Sequence, residues 1–221
     1  MKPTATGWLR LSNPYGRLVA DASVIINMIA SKCPAKILGA LPGRVVVTDV
    51  VVDEIADGVN KGRGDVDVFN KLRRLGLLEV ASLGAIGEGL FEHLVVGPAS
   101  ATLDDGEAAT IAYAAEHTLG VIMDDYKAKR ICKERFGGVG MLCSVEIFRH
   151  PDIQKALGRR GLGMAVLNAL QLARMGVPAE HIEWVVSIIG ESNASSCPSL
   201  PRRTREAAAR SKPPDSYGNE E

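Results

Sequence analysis

The sequence predicts an α/β domain built on a parallel sheet, and three features carry that expectation. Compact β-branched runs alternate with longer stretches whose apolar residues recur at helical spacing. Acidic residues stand at the junctions where a run gives way to such a stretch. Gly-rich or charged segments then close the helical stretches. Strands alternating with helices in this way imply one parallel sheet with helices on both faces.

Residues 1–16 contain Pro3, Gly7, Pro14 and Gly16 and read as an irregular lead-in. Arg17 to Ala20 is a short apolar strand that stops at Asp21. Beyond it Val24, Ile25, Met28 and Ile29 keep helical spacing, with Asp21 where an N-cap belongs. Val45 to Val47 is a second strand. Thr48 or Asp49 can cap the helix after it, which carries Val51, Val52, Ile55 and Val59 and holds Glu54 about one turn inside. Asp57 to Asp67, rich in glycine and charge, reads as a loop or a frayed helix end; Val68 to Leu75 fits a helix and Leu77 to Val80 a strand.

The pattern is clearest from Leu103 to Phe148. Asp104 or Asp105 can cap a helix containing Ala108, Ala109, Ile111, Ala112 and Ala115, with Gly120 as its stop. Val121 to Met123 is a strand ending at Asp124 and Asp125, and Ala128, Ile131 and Cys132 give the next helix its apolar stripe. Gly137 and Gly138 close that helix, and Val139 to Leu142 is another strand. Residues 151–191 read as added helices, one with Met164, Leu167, Leu170, Leu172 and Met175 and one from Ile182 to Ile189, started by Pro178. From Ser192 to the end there are prolines, small polar residues and basic residues without an apolar pattern, which predicts a disordered tail.

Composition narrows the function classes less than the pattern does. Lys plus Arg and Asp plus Glu number 26 each, so net charge neither draws the chain to nucleic acid nor excludes it. Cys33, Cys132, Cys143 and Cys197 are widely spaced, form no C-x-x-C pair and indicate neither a zinc site nor a disulfide framework. The N-terminus has no apolar run long enough for a signal peptide or a membrane span, so the expectation is a cytoplasmic protein with no membrane partner.

In sheets of this kind, ligands bind beyond the carboxyl ends of the strands. Asp21 and the Asp124–Asp125 pair fall at that end. Singly, the acids have plain explanations. Asp21 and Asp104 fit helix caps worth about 1 kcal/mol each, and Glu54 and Glu107 suit the positive end of a helix dipole. Gathered on one rim, they would repel one another unless a cation stood among them. Oxygen ligands without His or Cys select Mg²⁺ or Mn²⁺. Such an ion can activate water and stabilise charge on a phosphodiester. Other aspartate-rich α/β enzymes fit less well: a dehalogenase-like phosphatase wants D-x-D after its first strand, where this chain reads Asp21-Ala22-Ser23. A phosphoacceptor receiver wants its acidic pair early, and here it comes late.

The segments LVADASVIINMIAS, TDVVVDEI, LDDGEAATIAYAAEHTLGVIMDDYKAKRIC and VGMLCSVEIF resemble the successive motifs of PIN-domain proteins, including the ribonuclease toxins of VapBC-type toxin–antitoxin pairs. The resemblance covers residues 17–150 and implies a three-layer α/β/α domain that cuts single-stranded RNA with Mg²⁺ or Mn²⁺. It matches Asp21, Glu54, Glu107 and Asp125 to the family's four acids, with Asp104 competing for the third place and Asp124 for the fourth. Asp21, Glu107, Asp124 and Asp125 would hold the metal. Ser23, Asn27, Asp104 and Ser144 would support the ligands by hydrogen bonds. Lys127, Lys129 and Arg130 would either meet RNA phosphates or form a solvated helix face.

Two positions depart from the family pattern. Cys143-Ser144 stands where many relatives have Gly-Thr, and Met123 where a Thr is common. The partners implied are an RNA substrate and a small antitoxin protein, with the 164–189 helices open as a homodimer seam or a cap on the core. The competing expectation is a catalytically inactive PIN module that binds RNA or a protein.

Overall fold

A computed structural model describes residues 16–57 and 65–210. The expected lead-in apart from Gly16, most of the glycine-rich 57–67 segment, and the chain beyond 210 lie outside the described residues.

Among the described residues five strands form one parallel sheet: β1 (Arg17–Ala20), β2 (Arg44–Thr48), β3 (Leu78–Ala81), β4 (Gly120–Ile122) and β5 (Met141–Leu142), in the order β3-β2-β1-β4-β5. Leu18 lies opposite both Val45 and Gly120, which fixes the register of the three central strands. Among the described residues twelve α-helices accompany them: α1 (Ala22–Ala30), α2 (Pro34–Ala40), α3 (Asp49–Asp57), α4 (Asp65–Arg74), α5 (Ala85–Val95), α6 (Asp105–His117), α7 (Tyr126–Arg135), α8 (Ser144–Phe148), α9 (Pro151–Leu172), α10 (Ile182–Ile189), α11 (Glu191–Ser195) and α12 (Arg202–Arg210).

The alternation of side chains along each strand sorts the helices into two layers. Leu18, Ala20, Val45, Val47 and Ile122 share one core with Ile25 and Met28 of α1, Phe69 and Leu72 of α4, and Val166 and Leu170 of α9. On the other face Val19, Val46 and Val121 pack on Tyr113 and Ala114 of α6. The outer side of α6 meets Leu94 of α5 and Ile131 of α7. Ala108, Ala109, Ala112 and Ala114 are all fully buried, and their small side chains let α6 lie close against the sheet. The result is a three-layer α/β/α fold.

Several boundaries differ from expectation for local reasons. The stop of α6 is Thr118 in the left-handed conformation (φ 55), where Leu119 N–H returns to the Ala114 carbonyl, and Gly120 instead opens β4. Of the strand expected from Val139, only Met141–Leu142 pairs as a strand, because Val139 N–H turns back to the Phe136 carbonyl. Helices α2, α5 and α8 were not expected. Gly158 (φ 64) breaks the regular course of α9, after which Leu162, Val166 and Leu170 face the core.

The expectation of a disordered tail from residue 192 fails for residues 192–210. There α11 and α12 form, and Ala194, Cys197, Leu200 and Ala208 are buried in the same core as the sheet. Four small or aliphatic anchors among polar residues suffice to dock a segment whose periodicity is too sparse to read. Among the described residues, no helix is long and apolar enough to cross a membrane.

Candidate active site

The strand order reverses at β1 and β4. From β1 the chain runs outward through β2 to β3, then crosses to β4 and runs outward to β5. The segments leaving the ends of β1 and β4 therefore part from each other and open a crevice. Asp21 is the first residue after β1 and Asp124 the second after β4. Asp21 N–H still donates to the Ile122 carbonyl at 3.3 Å, so the two strand ends are held side by side.

Asp21 caps α1: its carboxylate accepts from Val24 N–H at 2.9 Å and from Ser23 Oγ at 2.9 and 3.2 Å. Only 4% of it is exposed. Burial raises its pKa from 3.8 to about 7; the Val24 and Ser23 hydrogen bonds oppose the rise, and the Asp124 and Glu54 charges add to it. Asp124 is half-buried and held at both oxygens. Asn27 Nδ2 donates to Oδ2 at 2.8 Å and Ser144 N–H to Oδ1 at 2.8 Å. Asn27 also donates to Ser144 Oγ at 3.1 Å, closing a small network around the acid.

Glu107 sits half-buried in the first turn of α6, and its pKa rises from 4.5 to about 8. Burial is the main cause, followed by the charges of Asp104, Asp125 and Asp21, against a hydrogen bond from the Asp104 backbone. Asp104 caps α6 by accepting from Glu107 N–H at 2.9 Å, and Asp125 caps α7 by accepting from Ala128 N–H at 2.8 Å; both are exposed. Glu54 reaches in from α3, and its carboxylate fills the position that a Cβ at Gly106 would take.

Asp21, Glu54, Asp104, Glu107, Asp124 and Asp125 all line one cleft of about 720 Å³. Helix capping and cleft lining are thus not alternatives for Asp21, Asp104 and Asp125, because each does both. Between the rivals, the structure sets Glu107 and Asp124 deeper and leaves Asp104 and Asp125 as caps on the rim. Ser23 Oγ and Asn27 Nδ2 donate to the carboxylates through their side chains, whereas Ser144 does so through its backbone N–H.

The departures from the family pattern do not disturb this. Cys143 has extended backbone (φ −113) that needs no glycine, and Met123 is fully buried away from solvent. The basic residues of α7 lie elsewhere. Lys127, Lys129 and Arg130 are not among the residues lining the cleft. Arg130 instead bonds Glu134 and the Ser100 carbonyl. Arg135 likewise holds the His93 and Ala101 carbonyls.

Sequence reasoning missed three charged residues of the cleft: Asp65, Lys32 and Arg174. Asp65 begins α4 beyond the glycine-rich segment. Arg174 follows α9, whose end supplies a wall with Leu172 and Met175. Only the packing of α9 on α1 could reveal that this extension borders the acids.

The donor chemistry of the cleft suits a hard cation. Its acids offer oxygen alone, and the raised pKa values of Asp21 and Glu107 mark protons that a cation would displace. A different group, Cys143, Glu146 and His181, brings ligand atoms within 4.8 Å of one another. Its members already have partners: Glu146 accepts from Cys143 N–H at 3.0 Å, and Arg149 Nη1 lies 2.7 Å from His181 Nδ1. A guanidinium at that distance disfavours a metal on the imidazole.

A family model described as a PIN domain matches residues 17–141, more than half of the chain and nearly the whole sheet. No curated protein matches the chain.

Proposed function

This chain belongs to the PIN-domain family, and from that premise we propose that it is a metal-dependent endoribonuclease cutting single-stranded RNA in the acidic cleft. The family's fold is a nuclease fold and its members are generally hydrolases. The observation that carries the reading further is the meeting of seven carboxylates in the cleft at the sheet's reversal point, one buried and another fixed at both oxygens.

Asp21, Asp124 and Glu107 would hold Mg²⁺ or Mn²⁺, with Asp125 beside them on the rim. When bound, the ion supplies an acidified water and countercharge for the phosphodiester. Ser23 and the Val24 amide fix the orientation of Asp21, and Asn27 with the Ser144 amide fixes Asp124, so neither carboxylate must reorganise as substrate arrives. Glu54 adds negative charge to the same space and raises the proton affinity of Asp21. The acids repel a phosphate, and a bound cation would offset part of that charge, so metal loading would strengthen substrate binding.

The test is cleavage of a panel of single-stranded RNAs by purified protein with Mg²⁺ or Mn²⁺. Cleavage that EDTA stops, and that Asp21→Asn and Asp124→Asn abolish, is expected. Cleavage untouched by both substitutions refutes the site, and no cleavage with any metal refutes the activity.

A toxin role within a toxin–antitoxin pair, in the cytoplasm and with a small antitoxin protein as partner, belongs to the same proposal. Its support is the motif resemblance; free cysteines, three of them buried, fit a reducing compartment. Growth arrest on expression, relieved by the product of an adjacent small reading frame, tests it.

A further inference from the structure

Two helices that border the cleft end in the same unusual way. Ser31 is the C-cap of α1 and Ala173 that of α9, and the next residue in each case is a cation in the left-handed conformation: Lys32 at φ 66 and Arg174 at φ 56. Glycine is the usual occupant of this position, because a Cβ there costs roughly 1–2 kcal/mol. Only one other described non-glycine residue, Thr118, has positive φ, and it does not line the cleft. Lys32 and Arg174 both do.

The two turns are neighbours. Helix α9 packs on α1, and Asn168 Nδ2 reaches the Ser31 carbonyl at 3.5 Å. Lys32 N–H closes its turn on the Ile29 carbonyl, and Met175 N–H closes the other on the Ala169 carbonyl. Both cations are exposed, and among the described residues neither forms an ion pair, although seven carboxylates line the same cleft. They are free to receive an anion. Leu172, 59% exposed, adds apolar surface beside them.

We propose that Lys32 and Arg174 form a phosphate-binding pair in the cleft, seating a backbone phosphate of single-stranded RNA adjacent to the one that is cut. This rests on the reading of the cleft as a ribonuclease site. It gives the C-terminal extension a role in substrate binding. Each cation also suits the negative end of its own helix, so the test must separate stability from binding.

Glycine substitution does so, because it removes the charge and relaxes the backbone together. Lys32→Gly, Arg174→Gly and the double variant are compared in an Asp21→Asn background that does not cut. Anisotropy of a short labelled single-stranded RNA reports affinity across a salt series, and melting reports stability. Each single variant should weaken binding by about tenfold, with the melting temperature unchanged or higher. The double variant should flatten the slope of log affinity against log salt by about 0.7–1.4. Arg174→Lys should retain most of the affinity. Equal affinity and slope in the double variant, while wild type cuts RNA, overturns the pair alone. If wild type neither binds nor cuts RNA, the ribonuclease reading falls and the pair with it.

Discussion

Asn27 and Asp124, 97 residues apart in sequence, meet at 2.8 Å across the ends of β1 and β4. Asn27 is nearly fully buried, and its amide also reaches Ser144, whose N–H takes the other oxygen of Asp124. Helices α1 and α8 thus aim one acid between them. Asn27→Ala removes the aim but not the acid. Mn²⁺ affinity by calorimetry should fall about 10–100-fold, and stability by about 1–3 kcal/mol. Unchanged affinity would show that Asp124 needs no such support.

Asp21→Asn separates the cap from the charge, since Asn caps helices as well as Asp. The metal-free variant should melt at the same temperature as wild type or higher at pH 8, having lost a buried, repelled charge. The rise in melting temperature that saturating Mg²⁺ gives wild type should largely disappear. A variant that Mg²⁺ stabilises as much as wild type would remove Asp21 from the metal site.

The raised pKa values set a direction for pH. Asp21 and Glu107 keep protons in the folded protein up to about 7 and about 8, while in the unfolded chain they release them near 3.8 and 4.5. Between those limits the native state binds more protons, so metal-free stability falls as pH rises through about 4 to 8. Cation binding must expel the same protons, so Mg²⁺ affinity should climb as pH rises toward 8. Melting curves with and without Mg²⁺ over that range should diverge; parallel curves would contradict both assignments.

Gly106→Ala probes Glu54 without touching it. The new methyl would take the place of the Glu54 carboxylate, the far end of a flexible side chain that can swing away. Alanine is also better than glycine inside a helix by roughly 0.8–1 kcal/mol. The variant should fold at least as stably yet lose RNA cleavage by about tenfold or more. Full activity would mean that the position of Glu54 is not critical.

Leu200→Ala tests the docking of the tail. Leu200 is buried against the main core, so its truncation should cost about 2–5 kcal/mol in denaturant unfolding. A cost near zero would show that the segment contributes nothing to the fold.

The sheet, its flanking helices and the acidic rim were legible because each strand is a compact β-branched run and each of Asp21, Asp104 and Asp125 occupies a cap, a local signal. The support of the acids by Ser23, Asn27 and Ser144 was also accessible, through the motif resemblance. What escaped depends on long-range packing. Lys32 and Arg174 face the cleft only because α9 folds back on α1, and nothing in SKCP or ARMG marks a left-handed turn. For α7 the sequence leaves an RNA-facing surface and a solvated face both open, and two of its arginines hold the carbonyls of residues 93–101.

The core that joins the sheet to α9, α10 and the tail also bears on how the molecule comes apart. Residues from Leu18 to Ala208 share one apolar cluster, with no seam at residue 150. Unfolding should therefore proceed as a single cooperative transition. A fragment ending at residue 141 would expose the faces of α1 and α2 that α9 covers. Its insolubility or silence in a cleavage assay would report a missing half of the core, not an inactive nuclease.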